Sequence, residues 1–280
     1  MRKAIATAAL IAAVLVADSP RLQATDHRED VKSAFITTSD GLKIHYLELG
    51  TAGSPVILIH GYTANADGKW VKSNIAQTLA KNHRVIAIDA RGHGKSDKPH
   101  DPAKYGPRMA TDVIELMDQL KIAKAHVHGY SMGGSILTQL LARHQDRILT
   151  AIYGGSGPQE TDPKWIAQVP KDVDPPAAND PKAPRGEAWS AYPGYDRAAL
   201  DAVQKYPWKP GDREIDLAQV KVPVLAIVGS LDRPNARTHR LRRELKGTQI
   251  VIVPGETHGS VHLNPVYTST LVKFIDAHNK

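Results

Sequence analysis

Two rhythms of apolar residues alternate along the chain. Short, largely apolar runs recur at Pro55–Ile59, Arg84–Ile88, the stretch entering Val127, Ile148–Tyr153, Val222–Val228 and Gln249–Val253. Runs of this length and uniformity are expected of strands buried on both faces of a parallel sheet. Between them the apolar positions fall three and four residues apart, which predicts amphipathic helices. One is predicted over 67–81, with Trp70, Val71, Ile75 and Leu79 inward. A second is predicted over Tyr105–Leu120, with Val113, Leu116, Met117 and Leu120 on one face, and a third over Ser135–His144, with Ile136, Leu137, Leu140 and Leu141. Two more are predicted at Asn235–Leu245 and Pro265–His278. Ahead of all of these, Ala34–Thr38 and Leu42–Leu49 flank Ser39-Asp40-Gly41, a turn sequence that predicts a β-hairpin. The alternation predicts an α/β fold, with a mostly parallel sheet, helices on both faces and right-handed crossovers.

The rhythm breaks between Gly154 and about Val220. That segment is proline-rich from Pro158 to Pro184 and then aromatic, carrying Trp165, Trp189, Tyr192, Tyr195, Tyr206 and Trp208. A disordered linker would not concentrate large apolar side chains in this way. A small cap of short helices is therefore expected over about 156–215, above the carboxyl edge of the sheet. At the other end of the chain, residues 1–24 resemble a secretory leader: Arg2-Lys3, then an apolar run from Ala4 to Val16, with cleavage expected after Ala17 or Ala24. The mature chain, 25–280, is expected in the periplasm or outside the cell. Contact with a membrane is expected only through this leader, if it stays attached as an anchor.

Composition narrows the chemistry. The chain has no cysteine, which excludes disulfides, thiolate metal sites and thiol nucleophiles. The net charge of +7 is modest, and its densest basic run, Arg237–Lys246, fits the solvated face of a helix with Leu241 and Leu245 inward. No nucleic-acid partner is expected. The histidines are scattered and no Gly-x-Gly-x-x-Gly follows a strand, so neither a metal nor a cofactor is expected.

One stretch carries chemistry. Val127-His128-Gly129-Tyr130-Ser131-Met132-Gly133-Gly134 reads as a strand, a tight turn with a serine at its apex, and a helix start. A serine hydroxyl becomes a useful nucleophile when it is held exposed beside a base and an oxyanion site. Gly129 and Gly133 leave room for the turn, and the helix start favours negative charge at the same spot. The base should lie on a loop after a late strand. His258, after Gln249–Val253, fits; His262 is the near competitor, closer to the last helix. The acid should follow the strand before, and Asp232 does. Singly, Asp232 could cap a helix and His258 could be a surface histidine. Jointly they give the order Ser131, Asp232, His258 after three separate strands. Oxyanion donors are expected from the backbone amides of Met132 and of Tyr62, in the loop His60-Gly61-Tyr62-Thr63.

With these motifs the chain resembles the α/β-hydrolase fold superfamily, and within it the cap-bearing serine hydrolases related to bacterial esterases and lipases. The matching pieces, in order, are His60-Gly61-Tyr62, Asp89-Ala90-Arg91-Gly92-His93-Gly94-Lys95-Ser96, Gly129–Gly134, and Asp232 with His258. The resemblance covers roughly residues 34–278. It implies an eight-stranded sheet with the cap inserted after the sixth strand. It also implies Ser131 as nucleophile, His258 as base and then acid, and Asp232 as the residue orienting His258. By the same resemblance Arg91 and the glycines of the 89–96 segment shape a loop, and His93 packs rather than reacts.

The expected reaction is hydrolysis of a small-molecule carboxylic ester through an acyl-enzyme. A serine at the elbow argues against dehalogenase and epoxide-hydrolase chemistry, which uses a carboxylate there. Lactone cleavage, carbon–carbon bond hydrolysis and prolyl aminopeptidase activity are alternatives on the same three residues, and a ligand-binding protein without turnover is an alternative of another class. Acyl length, alcohol, oligomeric state and cap motion are not written in these motifs.

Overall fold

The structure is a computed structural model, and it describes residues 31–166, 194–232 and 235–279. The expected leader and the middle of the expected cap, with Trp189 and Tyr192, lie outside the described residues. Eight strands form one sheet: β1 (Lys32–Thr37), β2 (Lys43–Leu49), β3 (Pro55–Ile59), β4 (Arg84–Ile88), β5 (Ala125–Tyr130), β6 (Ile148–Gly154), β7 (Val224–Gly229) and β8 (Gln249–Val253), in the order β1-β2-β4-β3-β5-β6-β7-β8. The hairpin β1–β2 is antiparallel and joins β4 antiparallel; every other pairing is parallel. As the apolar runs predict, the central strands are covered on both sides, and Val56, Ile57, Leu58 and Ile59 of β3 have no exposed surface.

Among the described residues, besides a four-residue helix at Pro163–Ile166, the helices are α1 (Ile75–Ala80), α2 (Arg108–Gln119), α3 (Met132–His144), α4 (Arg197–Gln204), α5 (Asn235–Glu244) and α6 (Pro265–Ala277). On one face of the sheet Val113 and Leu116 of α2, Leu137 and Leu140 of α3 and Leu241 of α5 pack against Ile57, Val127 and Ala226. On the other, Ile75 and Leu79 of α1 and Tyr267, Leu271 and Phe274 of α6 pack against Leu58, Ile152 and Leu225. Full burial of an aliphatic side chain stabilises by roughly 1.5–3 kcal/mol, so these two layers dominate the folding energy. Among the described residues no helix is long and apolar enough to cross a membrane.

The predicted helix over 67–81 is not continuous. Asp67–Val71 forms one wide π-type turn, and α1 restarts at Ile75. Asn74 breaks it by taking φ of 63°, a left-handed conformation that asparagine tolerates better than most residues. Ser73 assists, its hydroxyl donating back to the Lys69 carbonyl at 2.6 Å. Likewise α2 starts at Arg108, not Tyr105, because Gly106 sits at φ of 66° ahead of Pro107. The turn after β5 is tighter than expected: α3 begins at Met132, directly after the serine.

Candidate active site

The parallel strands β3, β5, β6, β7 and β8 deliver their carboxyl ends to one edge of the sheet, where open α/β sheets hold their ligands. Ser131 stands there with φ of 55° and ψ of −113°. A non-glycine residue in such a conformation costs on the order of 1–3 kcal/mol, which the surroundings must offset. They do so by close packing. A Cβ on Gly129 would fall 2.2 Å from the Gly133 carbonyl oxygen, and one on Gly133 would fall 2.2 Å from the Ile59 carbonyl oxygen. Only glycine at both positions lets strand, turn and helix meet. The Ser131 N–H is held by the Gly154 carbonyl at 2.9 Å.

Three side chains from separate loops meet at this elbow. His258 Nε2 lies 2.9 Å from Ser131 Oγ, and its Nδ1 lies 3.0 Å from both carboxyl oxygens of Asp232. With Nδ1–H donating to the carboxylate, Nε2 presents a lone pair to the serine hydroxyl. Asp232 is buried at 2 % exposure, whereas the His258 side chain is 42 % exposed. The loops carrying acid and base are tied together: Ser230 N–H donates to Val253 O at 2.9 Å and Leu231 N–H to Glu256 O at 2.9 Å. His262, the competitor, packs its ring on Tyr130 at 5.5 Å between centroids, and burial lowers its pKa to about 3.

The two expected amides lie on the segments that adjoin this serine. Met132 is the first residue of α3, so its N–H has no carbonyl one turn behind it. The loop His60–Thr63 presses against the elbow from β3, since a Cβ on Gly61 would fall 3.2 Å from Ser131 Cβ. His60 fixes that loop from beneath: fully buried, its Nδ1–H donates to Gly61 O at 2.7 Å and its Nε2 accepts from Ala90 N–H at 3.1 Å. The Tyr62 hydroxyl reaches away, donating to Leu200 O of α4 at 3.1 Å.

A family model described as the alpha/beta hydrolase fold matches residues 54–234. The chain belongs to the α/β-hydrolase fold family. Esterase YbfF of Escherichia coli is 39% identical over 95 residues, 34% of this chain and 35% of that protein. Non-heme chloroperoxidase of Streptomyces lividans is 37% identical over 128 residues, 44% of each. The matches thus span less than half the length of these two relatives. Among solved structures, the enol-lactonase from Burkholderia xenovorans LB400 superposes with a TM-score of 0.67 at 24% identity, covering 87% of this chain and all of that one. At that identity the likeness is one of fold.

In this α/β hydrolase several site residues carry no sequence signal of their own. Tyr130 donates its hydroxyl to the backbone carbonyl of His258, bracing the base loop from the elbow itself. The Lys69 Nζ lies 3.3 Å above the Tyr130 ring centroid. Burial holds the Lys69 amine well below the usual lysine range, against the opposing pull of Asp232. Gly155, at φ of 53°, leaves its Cβ position 3.0 Å from Asp232 Oδ2 and 3.1 Å from His258 Nδ1, so a side chain there would crowd the acid–base pair. The glycine doublet Gly154-Gly155 at the end of a buried strand was the available sign. Arg91 and His93 lie off this centre. Arg91 Nε donates to Asp112 Oδ2 at 2.7 Å, and the buried His93, its pKa lowered to about 3 by burial, packs on His60 and Tyr62. Among the described residues no group of three His, Asp or Glu is arranged to hold a metal ion.

Proposed function

We propose that this α/β hydrolase cleaves carboxylic esters through an acyl-enzyme on Ser131. The carrying observation is the continuous hydrogen-bonded chain from Asp232 through His258 to the strained serine, 3.0 Å and 2.9 Å long at its two links. In this reading Ser131 Oγ attacks the ester carbonyl while His258 Nε2 takes its proton. The tetrahedral oxyanion is met by the Met132 and Tyr62 amides, each contributing about a hundredfold or more in rate. The intermediate collapses as His258 returns the proton to the leaving alcohol. Water, deprotonated by the same imidazole, then releases the carboxylic acid. Asp232 keeps the tautomer right and stabilises the imidazolium without becoming protonated. A lactone is a cyclic ester and passes through the same steps, its alcohol remaining attached to the acyl group. Export by the 1–24 leader belongs to the same reading, and a recovered chain beginning after Ala17 or Ala24 is its expected sign.

The test pairs turnover with labelling. Short p-nitrophenyl esters of graded acyl length should be hydrolysed, and a fluorophosphonate should modify Ser131 within minutes, as mapped by peptide mass. Absence of both turnover and a Ser131 adduct in folded protein removes the proposal.

A further inference from the structure

The molecule contains a second Ser–His–Asp chain, on the antiparallel hairpin at the sheet's edge and the loop after β4. Ser33 on β1 and His45 on β2 are diagonal neighbours across the hairpin, since the register pairs Phe35 with His45 and Ser33 with Leu47. Ser33 Oγ lies 2.8 Å from His45 Nε2, and His45 Nδ1 lies 2.8 Å from Asp89 Oδ2. Both links are as short as those at Ser131. The histidine and the aspartate are each 2 % exposed, while Ser33 faces solvent. Asp89 is fixed from every side: it also accepts from Ala66 N–H at 2.6 Å and Lys95 N–H at 2.8 Å. Burial pushes its carboxyl up, but the bonds from His45, Ala66 and Lys95 and the nearby His60 outweigh that and hold it below its usual range. An ionised Asp89 accepting from Nδ1–H leaves the Nε2 lone pair facing the Ser33 hydroxyl. Beside it Phe35 is half exposed, with its ring 5.0 Å from that of His45.

We propose that Ser33 is a second nucleophilic serine, a site of covalent modification by acyl or phosphonyl donors with an apolar chain that lies on Phe35. In the step, Ser33 Oγ forms the new bond to the electrophilic carbon or phosphorus. The leaving group departs with the electron pair of the broken bond, as fluoride from a fluorophosphonate or as an alkoxide from an activated ester. The hydroxyl proton passes to His45 Nε2 and from there to the leaving group or solvent. Ser33 sits inside a regular strand, not at a helix start, so the oxyanion is met by solvent alone. The product is therefore a stoichiometric adduct with no rapid turnover. General-base assistance contributes on the order of 10²-fold or more over an unassisted serine. The lack of preorganised oxyanion donors costs on the order of 10²–10³-fold against Ser131.

The experiment is time-resolved labelling of the full chain by a long-chain alkyl fluorophosphonate, with each serine quantified by peptide mass. Ser269, exposed and bonded to the Val266 carbonyl, serves as the unassisted reference. In Ser131→Ala, an adduct at Ser33 should grow roughly a hundred times faster than at Ser269 and vanish when Ser33→Ala is added. Should Ser131→Ala misfold, the same ratio is read in the wild-type chain once Ser131 is saturated. Phe35→Ser should slow the long-chain probe and leave a methyl fluorophosphonate at its original rate. A Ser33 rate no greater than that of Ser269 overturns the proposal. Equal slowing of both probes by Phe35→Ser overturns the role of the apolar chain.

Discussion

Two hydrogen-bonded Ser–His–Asp chains lie in one sheet, and side-chain distances alone do not tell them apart. At one, the links are 2.9 and 3.0 Å; at the other, 2.8 and 2.8 Å. The difference lies in the backbone under each serine. Ser131 occupies a strained turn at a helix start, with the loop carrying Gly61 pressed against it. Ser33 occupies a relaxed strand at the sheet's edge. Side-chain geometry supplies a base at both; in the proposed acyl-enzyme reaction only the elbow supplies somewhere for the negative charge to go. That second provision is where most of the rate advantage of acyl transfer resides.

The largest expected effect comes from removing the elbow hydroxyl. Ser131→Ala should lower kcat for p-nitrophenyl esters by about 10⁶-fold, as when the nucleophile of a working triad is lost. Ser33→Ala should leave steady-state ester turnover within about twofold of wild type, since the edge serine lacks oxyanion donors. If both variants lost activity alike, the two chains would not differ as argued.

The two aspartates give the next contrast. Asp232→Asn should cost on the order of 10⁴ in kcat, because the imidazole is left in the wrong tautomer. Its unfolding midpoint in urea should scarcely move. Asp89→Asn should do the reverse. It weakens bonds to His45, Ala66 and Lys95 at once, and about 2–3 kcal/mol of stability should go with them, the worth of one charge-assisted bond. Paired urea melts and steady-state assays check both halves.

Much of the fold and of the Ser131 constellation could be read from the chain, and the reasons are local. Buried parallel strands are uniform apolar runs, and an elbow must pack its glycines and serine within a few residues. Asp232 and His258 were legible because each lies on the short loop after a strand. The Ser33 chain was not, because it depends on cross-strand register and on a loop 44 positions away from His45. Register is a tertiary property that no short motif records. The break at Asn74 was hidden for a related reason: an apolar period of 3.6 continues through it, while the turn is dictated by Ser73 and by what Trp70 packs against.

The histidines that do no chemistry predict an effect on stability that is spread over the fold. Burial lowers His126 and His128 to about 4 and His93 and His262 to about 3. In the unfolded chain each takes a proton near pH 6.5, while the native state refuses it until far lower. The unfolded state therefore binds more protons below pH 6.5, and stability falls as pH drops towards 4. His128 alone, fully buried and bonded to Ile152 O and the Tyr267 hydroxyl, should account for about 2 kcal/mol between pH 7.5 and 5. Urea unfolding at the two pH values measures the sum. Equal stability at both would mean that these rings accept protons in the native state.

The smallest effect isolates the strain under the nucleophile. If φ of 55° at Ser131 is imposed by packing, glycine should adopt it with less cost. Ser131→Gly loses the hydroxyl and gains backbone freedom in the unfolded state, which offsets part of the relief. The hydroxyl's bond to His258 is partly exposed and contributes about 1 kcal/mol or less. Against strain of 1–3 kcal/mol, the net should be stabilisation by about 1 kcal/mol in urea, with ester turnover gone. The matching change at the edge, Ser33→Gly, relieves nothing and weakens a strand, so it should destabilise by about 0.5–1 kcal/mol. Opposite signs at the two serines would locate the stored strain at the elbow. The same sign at both would mean that the Ser131 conformation is held at no cost, and that the two sites differ in their amides alone.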